Sequence, residues 1–117
     1  MDESVRLHVV FFKTEANAEP VRDWLKELDW RDRKTIGEDI KTVQFGWPLG
    51  TPLVRKLDAD LWEVRSRLDR RIARVVFTVQ NDLMVLLHGF IKKSQKTPIS
   101  ELNTAKKRLA QFKDHGP

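Results

Sequence analysis

Ten cationic side chains fall within residues 55–96: Arg55-Lys56, Arg65, Arg67, Arg70-Arg71, Arg74, Lys92-Lys93 and Lys96. Guanidinium groups grip phosphate oxygens through bidentate pairs. Gathered on one surface, such groups bind a phosphate backbone. Placed closely, they also stabilise the charge that develops on a phosphate as it is cleaved. Attack by a ribose 2′-hydroxyl further needs a proton acceptor and a donor for the departing 5′-oxygen. A lysine crowded by other cations has a lowered pKa and can move protons. His88 is the other titratable candidate, although a histidine in an apolar stretch is more often a packed, satisfied core group. His8 lies in a strand pattern and His115 in the C-terminal tail. No two histidines stand at metal-ligand spacing, and the chain has no cysteine. A structural zinc site, a disulfide and a thiolate nucleophile are therefore not expected. No glycine-rich phosphate loop or dinucleotide fingerprint is present, so no small-molecule cofactor is expected. The acidic neighbours Glu38-Asp39 and Glu27 with Asp29 read as solvated helix faces.

The frame that must position these groups is small. A chain of 117 residues has room for a single domain, 1–117. Apolar residues make up 40% and charged residues 33%, with four Trp and six Phe, which excludes a largely disordered chain. No apolar run approaches the roughly 20 residues that cross a bilayer. The N-terminus shows no secretory signal, and together with the missing cysteines this points to a cytoplasmic location. The formal charge of +5 is uneven. Residues 1–53 hold eight basic and ten acidic side chains, whereas residues 54–117 hold fourteen and seven. A basic half points to an anionic partner (nucleic acid, acidic protein or membrane surface) or to a merely solvated basic surface.

Residues 5–12 (VRLHVVFF) read as a first strand, rich in β-branched and aromatic residues. Pro20 suits the first turn of a helix, whose apolar face is Val21, Trp24, Leu25 and Leu28. Asp29 caps a second helix through Ile36, Ile40 and Val43, with Gly46 as its stop and residues 47–52 as a loop. The pattern predicts that these two helices form a hairpin, with Trp24 and Trp30 as a candidate docking surface or, more simply, as one core and one surface aromatic. Residues 61–68 then alternate, with Trp62, Val64 and Leu68 on one face and Glu63, Arg65 and Arg67 on the other. Asp69-Arg70 turns the chain into a strand over residues 72–79, and Asn81-Asp82 turns it again into an apolar strand over residues 83–91. A short strand at residues 54–57 can precede this meander. Thr97 and Pro98 suit the N-cap and N1 of a last helix striped by Leu102, Ala105, Leu109 and Phe112, with fraying expected at residues 114–117. The predicted architecture is α+β, in the order β-α-α-β-β-β-α: an antiparallel sheet with an N-terminal helical hairpin and a C-terminal helix. One sheet face is covered by helices. The other is expected to be wet and to expose Arg65, Arg67 and Arg74.

Three segments carry a resemblance: Leu61-Trp62-Glu63-Val64-Arg65, Ile72-Ala73-Arg74-Val75-Val76-Phe77, and the stretch LLHGFIKKSQKTP over residues 86–98. Together they resemble the RelE/ParE toxin superfamily, on the side of its HigB-like, phage-related branch. The resemblance implies the toxin of a type II toxin–antitoxin module, of a kind that cleaves messenger RNA on the ribosome without a metal. It implies as partner a helix-turn-helix antitoxin. ParE-like members of the same fold poison DNA gyrase instead, and a non-nuclease toxin of that type or an attenuated binding module stands as the alternative. In RelE-type nucleases two lysines lie on the strand matching residues 62–67; the first matches Glu63, a reversal of charge, and the second matches Arg65. An arginine on the next strand matches Arg74, and a later one falls at Lys92 or Lys93, of which Lys93 is the preferred match. The tyrosine of the last helix would fall near Pro98, and the chain has no tyrosine. The resemblance therefore puts any catalysis on Arg65, Arg74 and Lys93, with His88 or Lys96 as a further group. Arg55, Lys56, Arg67, Arg71, Lys92 and Lys96 are the candidate RNA-binding groups, and no metal ligand is implied.

Overall fold

Three two-residue turns organise the second half of the chain. Asp60, Arg70 and Asn81 take φ of 58°, 59° and 58°, the left-handed backbone that short hairpin turns require. The computed structural model describes residues 5–115 and joins these turns into a meander of four strands. These are β2 (Val54–Asp58), β3 (Leu61–Leu68), β4 (Arg71–Gln80) and β5 (Leu83–Lys92). Ahead of them run β1 (His8–Phe11), α1 (Pro20–Lys26) and α2 (Trp30–Gly46), and α3 (Ile99–His115) follows. Pro20 opens α1, and the Asp29 side chain accepts from the Arg31 N–H at 3.3 Å to cap α2.

The fold is α+β, with one five-stranded sheet ordered β1-β5-β4-β3-β2 and three helices. It departs from the sequence expectation in three respects. The segment at 54–58 is a full sheet member, so the order is β-α-α-β-β-β-β-α. The sheet is mixed: β1 lies parallel to β5, His8 opposite Leu83 and Phe11 opposite Leu86, while the other pairs are antiparallel. The helices after β1 carry the chain to β2 at the far edge, and three antiparallel steps then bring β5 back beside β1 in the parallel sense. Finally, α1 and α2 do not pair as a hairpin at the N-terminus. They follow β1 and pack side by side on the sheet, α1 over β5 and α2 over β3, because each stripe has an apolar sheet face to cover.

Two cores result. On the α1/α2 side, Val21, Ile36, Ile40 and Val43 meet Val64, Ala73, Val75, Phe77, Met84 and Leu86. On the opposite side, Ala105, Leu109 and Phe112 of α3 meet Phe12, Leu61, Val76, Val85, Leu87 and Phe90. The expectation of a wet second face is thus corrected, since α3 covers much of it. Lys106 and Lys113 fasten α3 to the β2–β3 hairpin through Asp58 at 2.8 Å and Asp60 at 2.9 Å. The hydrogen bond from Lys106, with help from the Ala59 N–H, holds the Asp58 carboxyl below its ordinary value. Helix α3 continues to His115, so the expected fraying does not begin at residue 114; Gly116 and Pro117 lie outside the described residues. Among the described residues no helix is long and apolar enough to cross a membrane.

A bulge in β5 sets the geometry of the second face. Val76 pairs with His88 but Phe77 pairs with Leu86, which leaves Leu87 as the extra residue. Leu87 and His88 then face α3 together, and Phe90 and Lys92 follow them. The same shift puts Gly89 under the Trp24 ring, where any Cβ would overlap the indole. Gly89→Ala is accordingly expected to push α1 off the sheet and to lower stability by about 1–3 kcal/mol. Urea unfolding would read this directly; a loss below about 0.5 kcal/mol would mean that Trp24 repacks freely.

Candidate functional site

Cross-strand register brings the central arginines together. Arg65 of β3 stands directly opposite Arg74 of β4. Like charges so placed repel, and a third side chain on the same face compensates them. Glu63 precedes Arg65 by two residues and is fully buried, as is Arg74. Its carboxylate lies 3.7 Å from Arg65 Nε and 4.0 Å from Arg74 Nε, and Thr97 Oγ1 donates to Glu63 Oε1 at 2.8 Å. Phe90 closes the site from β5, its ring 5.7 Å from the Arg74 guanidinium carbon. Burial lowers the Arg74 pKa, Glu63 opposes that shift, and Arg65 and Arg55 add to it. The guanidinium still stays charged at any ordinary pH.

The segment linking β5 to α3 lies over this cluster. Arg74 Nη2 donates to the Ser94 carbonyl. Arg65 Nη2 donates to the Gln95 carbonyl at 3.2 Å and to Gln95 Oε1 at 2.8 Å. Arg55 Nη1 donates to the Gln95 carbonyl at 3.4 Å. Three arginines from three neighbouring strands thus point at one short loop. Arg74 Nε and Nη1 and Glu63 Oε2 are buried without a hydrogen-bond partner. The sequence led one to expect Arg65, Arg74 and Lys93 to converge on an open face. Arg65 and Arg74 do meet, joined by Arg55, but among the described residues no contact joins Lys93 to them, and the face is closed: the Arg65 side chain is 15% exposed and that of Arg74 0%.

The remaining candidates divide. Arg67 is exposed on the same face of β3, and Lys92, Lys93 and Lys96 are exposed where β5 runs into the loop. Lys56 and Arg71 lie on the other side of the sheet. Lys56 Nζ sits 5.5 Å from the Trp62 ring centroid, and Arg71 Nη2 pairs with Asp32 of α2 at 2.9 Å. Alternation puts adjacent residues of a strand on opposite faces, so grouping Arg55 with Lys56 joined side chains that point apart. His88 is held on both sides. Its Nε2 lies 2.7 Å from Glu101 Oε1, and Arg108 Nη1 donates to His88 Nδ1 at 3.2 Å and to the Leu87 carbonyl at 2.9 Å. With both nitrogens engaged by α3, His88 fastens that helix to the sheet and has no nitrogen free in this conformation. Lys92 reaches the other oxygen of Glu101 at 3.9 Å.

Sequence reasoning missed the roles of five residues at or beside this cluster. Glu63 shares a strand face with Arg65 in the sequence pattern, and that neighbourhood is the signal of a counter-ion that the charge reversal alone does not give. Thr97 resembles a helix cap, but α3 starts at Ile99 and the hydroxyl goes to Glu63 instead. Gln95 carries no signal in the sequence, because its contacts are 30 and 40 residues away. Glu101 and Arg108, which hold His88, were likewise invisible before α3 was docked. On the opposite face Trp24 packs over Gly89, while Trp30 remains 59% exposed beside Arg31, the simpler of the two readings. Among the described residues no group of three or more His, Asp or Glu side chains is arranged to hold a metal ion.

A family model described as phage derived protein Gp49-like (DUF891) matches residues 23–110. No curated protein matches the chain.

Proposed function

The chain belongs to the phage-derived Gp49-like family, and from that membership together with the arginine cluster we propose that it is a RelE-like toxin of a type II toxin–antitoxin pair. Its activity in this reading is metal-independent endonucleolytic cleavage of messenger RNA on the ribosome, and its neutralising partner is a helix-turn-helix antitoxin. The stretch over residues 86–98 supports the HigB-like branch.

The observation that carries this proposal is the convergence of Arg55, Arg65 and Arg74, with only Glu63 to balance them. Two net positive charges in a largely buried site suit the dianionic character that a phosphate acquires when a 2′-oxygen adds to it. Arg65 and Arg74 hold the non-bridging oxygens. The 2′-hydroxyl loses its proton, a 2′,3′-cyclic phosphate forms, and the departing 5′-oxygen takes a proton. Lys93, exposed just past the end of β5, is the group assigned to proton transfer, and Lys96, exposed in the same loop, is the alternative. His88 joins only if it releases Glu101 or Arg108. Arg67 and Lys92 extend the basic surface along the RNA backbone.

The test is inducible expression of the wild type beside Arg65→Ala/Lys93→Ala, with Arg74 kept as the counter-ion of Glu63. Growth is read together with primer extension on cellular messenger RNA. Growth arrest with new 5′ ends, both lost in the double variant, is the expected result. Arrest with intact messenger RNA would overturn the nuclease and turn attention to DNA gyrase. Folded protein without arrest would favour a binding module.

A further inference from the structure

We infer that residues 94–97 are a displaceable plug, and that the carbonyl oxygens of Ser94 and Gln95 occupy the positions an RNA phosphodiester takes in the arginine site. The inference rests on reading that cluster as a phosphate site and adds how access to it is controlled.

Three features of the loop carry it. Its contacts with the arginines are made entirely through neutral oxygens: the Ser94 carbonyl on Arg74, the Gln95 carbonyl on Arg65 and Arg55, and Gln95 Oε1 on Arg65. An anionic oxygen makes a hydrogen bond to guanidinium roughly twice as strong as a neutral one does. The loop is therefore a weaker occupant than a phosphodiester. The loop also leaves the site incompletely satisfied. Arg74 is fully buried, yet its Nε and Nη1 donate to nothing in the protein. Buried donors are ordinarily paired, and these two point to an acceptor that the loop does not supply. Finally, the loop is fastened at one end by a single buried polar contact, Thr97 Oγ1 to Glu63 Oε1 at 2.8 Å. Its other three residues are exposed. Glu63 thus has two tasks: it compensates the arginines, and it latches the plug. Lys92 and Lys93 precede the segment and Lys96 lies within it, so a passing polyanion is attracted to the place where the plug must lift.

The latch gives the test. Thr97→Val keeps the side-chain shape and removes the donor to a charged acceptor. Such a bond contributes enough to favour the closed loop by about tenfold. Apparent affinity scales with the fraction of open protein, so the variant should bind about tenfold tighter. The probe is a fluorescein-labelled pentanucleotide of 2′-O-methyl RNA, which cannot be cleaved, followed by fluorescence anisotropy. In parallel, amide hydrogen exchange of residues 94–97 is measured in the wild type with and without the probe. The expected result is faster exchange when the probe binds, because the ligand evicts the loop. Slower exchange would overturn the plug, since the loop would then be part of the bound site. Equal affinity of wild type and variant would overturn it too, as would absence of binding by both. If the variant does not fold, the exchange result on the wild type decides alone. The non-cleavable probe separates this inference from the nuclease proposal. Probe-driven opening in a protein that cuts no messenger RNA keeps the plug and removes the nuclease, and cutting without probe-driven opening does the reverse.

Discussion

Glu63→Gln is expected to lower the stability of the protein by about 3–5 kcal/mol, the usual cost of removing one partner from a buried ion pair. The substitution hardly changes shape, and the Thr97 hydroxyl still has a carbonyl oxygen to meet. What it removes is the negative charge between Arg65 Nε at 3.7 Å and Arg74 Nε at 4.0 Å. Two arginines paired directly across β3 and β4 are then left without compensation, one of them fully buried. Domains of this size have about 5–15 kcal/mol in total, so the loss takes a large share of the protein's stability and should lower its unfolding midpoint clearly. Urea unfolding followed by circular dichroism measures this, and a loss under 1 kcal/mol would show that solvent reaches Arg74. Glu63→Lys is expected to be worse. The resemblance to RelE-type nucleases matches this position to a lysine, which invites the idea that restoring it restores a catalyst. Here it would bury a third cation beside two arginines, and the expected outcome is insoluble or unfolded protein. A folded, more active Glu63→Lys variant would refute the structural role given to this carboxylate.

The second large effect concerns chemistry. In the proposed nuclease reading, Arg65→Ala should reduce the single-turnover rate of cleavage of ribosome-bound messenger RNA by about 10²–10³-fold, as expected when one preorganised donor to a developing oxyanion is lost. The fold should survive, because Arg65 lies at the rim of the cluster and Glu63 keeps Arg74 as its partner. Arg74→Ala should lose both activity and stability, since it leaves Glu63 buried with one counter-ion fewer. The contrast separates a contact to the substrate from a contact that holds the sheet together. Equal rates for wild type and Arg65→Ala would mean that the cluster is structural and that the reactive group lies elsewhere.

Much of the fold was legible locally. The alternation over residues 61–68 and 72–79, the turn residues Arg70 and Asn81 with positive φ, Pro20 at the start of α1 and Asp29 as the cap of α2 all reappear in the structure. The site was legible in part. Arg65 and Arg74 were singled out, and Glu63 stood on the same strand face as Arg65. Lys56 and Arg71 could have been set aside from the same alternation, which turns each away from its neighbour. His88 was different. Counting by twos from Met84 and Leu86 would put it on the α1/α2 face, and only the extra residue at Leu87 moves it to α3.

The sequence by itself determined where strands and helices run, which side chains share a face within one element, and that the second half of the chain is basic. Those are properties of short range, fixed by φ and ψ repeated every two or every 3.6 residues. The tertiary structure alone decided the parallel pairing of β1, the bulge in β5, the burial of Arg74 and the seating of Ser94, Gln95 and Thr97 over the arginines. Each of these depends on contacts between residues far apart in the chain, where the burial of α3 against the sheet and the pairing of Glu63 with two arginines must be satisfied together, and no local pattern encodes that joint solution.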